Sequence, residues 1–222
     1  SKSPGGRIKK LNPLGNNILN GTDGKRLFFG DYEPYEYNGK SRYSSLESIS
    51  VCEKTVFAAL DRTDAKVFLY SREGDLLSVF GGQGSFKGCF ADPVALTFNG
   101  SDIVVLDGKK GCLTVFTLTE YGAALYNAID VYMDGRFSES LPLWQEVLRY
   151  DAGSYLANLG YGKALYQFGE YKQAMEYFEL SGDRAHYSEA YKEYRNEKLK
   201  KNIGFYFTSA LAVTVIAVFG IK

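Results

Sequence analysis

The first half of the chain carries short apolar runs separated by polar turn residues, and the second half switches to helical spacing. The runs are 48–51, 56–60, 66–71 and 76–80. Apolar runs of this length bounded by turn residues each predict a strand. Arg72-Glu73-Gly74-Asp75, lying between two apolar runs, predicts a hairpin in which the glycine takes the positive φ. From about residue 120 to 201 apolar residues recur at helical spacing with few breakers. From Ile203 to Ile221 no residue is charged. These textures divide the chain into 1–118, 120–201 and 203–221.

The first region repeats itself. Leu60-Asp61 recurs as Leu106-Asp107, an offset of 46 residues. At that offset Phe57-Ala58-Ala59 falls on Ile103-Val104-Val105, and Val67-Phe68-Leu69-Tyr70 falls on Leu113-Thr114-Val115-Phe116. A unit of this length holding short strands has the period of a propeller blade. Ile8–Leu11 and Ile18-Leu19 supply a partial earlier unit. Phe80-Gly81-Gly82-Gln83-Gly84, Gly88-Cys89-Phe90-Ala91-Asp92-Pro93 and Ile103-Val104-Val105-Leu106-Asp107 resemble the NHL repeat, with its glycine pair, its G-x-F-x-x-P run and its aliphatic strand ending in Asp. About two and a half such units are too few to close a ring. With a start at Ser1 lacking an initiator methionine, this leads to the expectation of an internal piece of a longer chain.

The second region repeats at an offset of 34, with Tyr121/Tyr155, Ala123/Ala157, Leu125/Leu159, Tyr132/Tyr166 and Gly135/Gly169 identical. That is the tetratricopeptide period of two antiparallel helices. Ser140 and Ala174 take the close-packing position, and Trp144 and Phe178 the large one. A third helix, about 185–201, caps the array, as a terminal repeat must. Ile129, Tyr132, Lys163, Tyr166 and Gln167 fall at positions that line the concave groove of such repeats. They serve either a peptide or protein partner, or docking on the blades.

The nineteen uncharged residues of 203–221 would span about 28 Å as a helix, close to the hydrocarbon thickness of a bilayer. Lysines flank the stretch at 198, 200, 201 and 222. The expected fold class is therefore multidomain: a partial NHL-type β-propeller, tetratricopeptide-like helices and one transmembrane helix.

Composition narrows the chemistry. Twenty-six basic and twenty-six acidic residues cancel, which removes the positive field on which nucleic-acid binders rely. A single histidine, His186, leaves no basis for a histidine-built catalytic or metal centre, so no catalytic residue, metal or cofactor is assigned. Cys52, Cys89 and Cys112 lack a CxxC spacing; they are separate thiols or include a Cys89–Cys112 disulfide. Asp61 and Asp107 end equivalent strands, and the repeat explains both as turn caps. Gly81-Gly82-Gln83-Gly84 lacks the Lys-Ser/Thr of a phosphate loop. Tyr32, Tyr35 and Tyr37, with Tyr43, cluster in one long connection. Such rings either offer a stacking platform for sugars or pin the loop.

Taken in order, NHL-type blades, helices with Leu143-Trp144-Gln145-Glu146-Val147-Leu148 and Tyr171-Lys172-Gln173-Ala174-Met175-Glu176-Tyr177-Phe178, a basic segment and a span resemble a family of Gram-positive membrane proteins. In that family an extracytoplasmic NHL propeller and tetratricopeptide helices precede a YIP-type membrane domain. The resemblance implies a non-enzymatic binding or scaffold protein held in the bilayer by 203–221. Its implied partner is a component of a carbohydrate ABC transporter, or a carbohydrate. The positive-inside rule alone, with Lys198, Lys200 and Lys201 before the span, points the blades inward. The resemblance places them outside the cell membrane, and that is the expectation taken. The alternative is a propeller enzyme of lactonase or lyase type with its site in further blades upstream.

Overall fold

The computed structural model describes residues 8–19, 35–37, 40–42, 44–52 and 56–219; for 35–37, 40–42, 205–206 and 209–219 the backbone alone is described. The chain divides into two compact units, Ser1–Met133 and Asp134–Lys222.

The first unit holds antiparallel strands. β1 (Tyr35–Tyr37) pairs with β2 (Lys40–Arg42). β3 (Leu46–Val51), β4 (Val56–Asp61), β5 (Lys66–Ser71) and β6 (Leu76–Gly81) form a four-stranded meander, and β7 (Pro93–Asn99), β8 (Asp102–Asp107) and β9 (Cys112–Phe116) a three-stranded one. The second and third sheets lie face to face, because the unbroken apolar runs of β4 and β5 give them two apolar faces. Ala58, Leu60, Val67 and Leu69 meet Leu96, Ile103 and Val105 of the three-stranded sheet around a fully buried Phe90. The opposite face, Phe57, Ala59, Phe68 and Tyr70, is covered by Ile8 and Leu19. Stacked sheets bury apolar side chains from both facing surfaces, which is what holds the layers together.

The seam also carries polar ties. The Ser48 hydroxyl accepts from the Leu96 N–H at 3.2 Å, and the Ser50 hydroxyl accepts from the Phe98 N–H at 3.2 Å. The glycine pair is a connector. Gly81 sits at φ +90°, where a Cβ would stand 2.8 Å from both the Ala65 oxygen and the Phe90 ring. Only glycine fits there. Gly82 then donates to the Ala65 oxygen and accepts from the Phe90 N–H, fixing the approach of Phe90 to the core. α1 (Glu120–Met133) belongs to this first unit, and its Tyr126 packs against the inter-sheet core.

The second unit contains α2 (Phe137–Tyr150), α3 (Tyr155–Phe168), α4 (Tyr171–Leu180) and α5 (Arg184–Phe219), each packed on the next. Ser140, Ala174, Trp144 and Phe178 are all buried, at the positions the 34-residue offset gave them. Ser154 caps α3 by accepting from the Ala157 N–H, and Gly169 closes the helix in the left-handed conformation at φ 92°. Asn158, buried in α3, donates to the Ala152 and Ser154 oxygens and so ties down the α2–α3 turn.

α5 begins on a carboxylate. Asp183 accepts from the His186 N–H at 3.0 Å and lies 2.9 Å from His186 Nδ1. Burial pushes the Asp183 carboxyl up, but the hydrogen bonds from His186 outweigh it and hold the group below the ordinary carboxylate value. A lowered carboxylate adds stability above its unfolded pKa and loses it as the pH falls through the folded one. Asp183→Ala is therefore expected to cost about 1 kcal/mol at neutral pH, with the difference narrowing in acid. Urea melts of the two proteins across the acid range would show it.

Two expectations are corrected. The described strands form separate sheets of two, four and three strands, with no closed propeller, and together with five helices the fold is mixed α and β. Two stacked sheets are too few to curve into a ring. Of the helices expected as two tetratricopeptide pairs, α1 lies in the compact unit of the sheets and α2 to α4 in the other. Finally, 203–219 is not a separate element but the continuation of α5, with the side chains of 205–206 and 209–219, and residues 220–222, outside the described residues. Among the described residues no helix is long and apolar enough to cross a membrane. This stands against the membrane anchor expected at 203–221 and the cell-membrane location that went with it.

Candidate functional site

The two conspicuous carboxylates are structural. Asp107 is fully buried and accepts backbone N–H groups from Ala91 (2.6 Å), Asp92 (3.2 Å), Lys109 (3.1 Å) and Lys110 (2.9 Å). Asp61, equally buried, accepts from Ser45 (3.0 Å) and Thr63 (2.9 Å), the positions 46 residues before Ala91 and Lys109. Each clamps the start of its sheet to the turn after its second strand. Among the described residues no group of three or more His, Cys, Asp or Glu is placed to hold a metal. Cys52, Cys89 and Cys112 are free thiols.

The residues singled out as a groove separate. Ile129 is buried and Tyr132 half-buried on α1, in the first unit. The Tyr132 hydroxyl is pushed up to about 12 by burial first, then by Glu73 and Asp75. Lys163, Tyr166 and Gln167 share one face of α3, in the second unit, at spacings of three and four. Lys163 and Tyr166 are half-buried and Gln167 exposed. Tyr166 stacks edge-on against Tyr171 at 5.4 Å, and burial, Glu193 and Glu189 raise its pKa. Tyr35 and Tyr37 lie in β1, opposite Arg42 and Lys40, with their side chains outside the described residues. Tyr32 lies outside them altogether.

The first unit contains one feature absent from those expectations. A cleft of about 340 Å³ opens between the segment 8–19 and the β3 side of the four-stranded sheet. Its floor is apolar: Ile8, Leu19, Ile49, Val51, Val56 and Phe57. Lys9, Lys10 and Arg72 stand among its walls, and among the described residues no carboxylate lines it. The cause is local. Alternation along Ser48-Ile49-Ser50-Val51 commits both serines to β7, so Ile49 and Val51 face the other way, where they stay exposed. Lys10 Nζ donates to the Arg72 oxygen at 3.4 Å. Burial and the Arg72 charge lower the Lys10 pKa, with Glu73 opposing. An anion entering between the cations would relieve that repulsion and favour the charged lysine. The sequence signal, Lys9-Lys10 upstream of an alternating strand, was present but did not tell which face of β3 stays open.

Compared with known proteins, the chain matches no protein-family model and no curated protein sequence.

Proposed function

We propose that this protein is a non-enzymatic binding protein whose cleft beside β3 takes an extended segment of a partner protein that combines apolar side chains with negative charge. The observation that carries this is the cleft itself, an apolar floor flanked by three cations. Its volume lies at the low end of ligand-binding cavities, enough for a few side chains rather than a folded domain. Ile49 and Val51, two residues apart on a strand at the edge of its sheet, match the side-chain spacing of an extended peptide. The cations add steering and register more than affinity.

Selection from a random peptide library on the purified 222-residue chain is expected to enrich sequences with Asp or Glu beside aliphatic residues. Binding should weaken with salt and fall about tenfold on Arg72→Glu or Lys9→Glu. Peptides without that charge bias, or binding indifferent to both reversals, would sink the proposal. So would a hydrolase or lyase activity of the purified protein that is lost on chelation.

A further inference from the structure

The outer face of the three-stranded sheet lies at the other end of the layered stack from the cleft. Its apolar residues are Val104 and Leu106 on β8, paired across the ladder with Val115 and Leu113 on β9. The 46-residue offset makes these the counterparts of Ala58, Leu60, Leu69 and Val67. In the four-stranded sheet those positions are between 0% and 5% exposed, because the three-stranded sheet covers them. In the three-stranded sheet Leu106, Leu113 and Val115 are 39%, 64% and 54% exposed. The same positions of one repeated pattern are thus core in one sheet and surface in the next.

β9 carries none of the usual protections of such a surface. The run Gly111–Thr119 has no charge and no proline, and β9 is the edge of its sheet. Charge sits only at the two ends of the face. Asp102 shares it at one end of β8, and Lys109 stands exposed on the turn at the other. A two-fold axis lying in the plane of the face and across the strands reverses strand direction. It sets Asp102 of one copy over Lys109 of the second while the four aliphatic residues meet their own images. A symmetric interface of this kind must be self-complementary, and an apolar centre with opposite charges at its two ends is so.

We infer that this face is a self-association surface: two copies of the chain pack β7–β9 against β7–β9 in antiparallel orientation. Three short strands offer roughly 300 Å² at the spacings of a sheet. That is well below the roughly 800 Å² per partner of a tight complex, so the dimer is weak and forms at high protein concentration.

Sedimentation equilibrium of the 222-residue chain over a wide concentration range tests this. The expected result is a monomer–dimer equilibrium that Leu113→Lys weakens tenfold or more. Because a lysine on β9 also changes the sheet itself, the charge pair provides a second test on surface residues. Asp102→Lys alone is expected to weaken the dimer, and Asp102→Lys with Lys109→Asp to restore it. A chain monomeric at every concentration overturns the inference. So does a dimer unmoved by Leu113→Lys, or one that the paired charge swap fails to rescue.

Discussion

Asp107→Ala is expected to lose about 3–5 kcal/mol of stability, enough to leave the first unit largely unfolded if its stability lies near the low end for domains of this size. The carboxylate accepts four backbone N–H groups from inside the protein. Lys109 and Lys110 lie on an exposed turn, so their amides can turn to water. The amides of Ala91 and Asp92, at the entry to β7, are more enclosed, and each unmet donor costs about 1–3 kcal/mol. Burial pushes the Asp107 carboxyl up, and the four donors, Lys110 foremost, outweigh it and hold the group below the ordinary carboxylate range. Its contribution is therefore complete above the unfolded carboxylate pKa and disappears as the pH falls through the folded one. Asp107→Asn keeps an acceptor and should lose less, with a flatter acid limb. Urea denaturation of the three proteins at neutral and acid pH measures both effects. A stability of the alanine variant within 1 kcal/mol of the parent at neutral pH, on the scale of an ordinary surface change, would refute the clamp.

In the second unit the largest expected effect lies at Trp144, whose removal to alanine should cost about 3–5 kcal/mol. The ring is 2% exposed and lies against the backbone of α3, where a Cβ on Gly160 would come within 2.5 Å of it. Its Nε1 is buried without a hydrogen-bond partner, so the ring contributes by filling space and not through a polar contact. Gly160→Ala is expected to destabilise by about 1–3 kcal/mol through overpacking, less the gain of up to about 1 kcal/mol in helix propensity. If the ring and the glycine are one fit, the effects must couple. With Trp144→Phe in place, Gly160→Ala should become neutral or stabilising. Thermal unfolding of the four proteins of this cycle gives the coupling, and strictly additive effects would show that glycine answers to something else.

Much of the local structure was legible because it depends on neighbours in sequence. Short apolar runs over 56–60 and 66–71 located β4 and β5, and the 46-residue offset paired Asp61 with Asp107 before their shared role as clamps was visible. Trp144 and Phe178 were recognisable as large residues at equivalent helix positions, but Gly160 and Gly162, against which their rings close, were not. A glycine in a helix looks like a weak point until the ring that needs its missing Cβ is found. The cleft was illegible for a related reason: Ile49 and Val51 alternate with Ser48 and Ser50 in a way that fixes two faces without saying which one another sheet will cover.

The sequence by itself determined strand and helix, the turn residues between them, and which positions within each repeat are apolar, because these follow from backbone periodicity and side-chain hydrophobicity. It did not determine what each apolar face meets. Two repeats of a blade-like pattern stack as sheets without becoming a ring, α1 joins those sheets and not the helices that follow it, and the uncharged stretch from Ile203 continues the charged turns of α5. Only the tertiary structure decided these, since burial is a property of surfaces brought together from distant parts of the chain. Leu60 and Leu106 show the difference: alike in their repeats, one is sealed in the core and the other faces water.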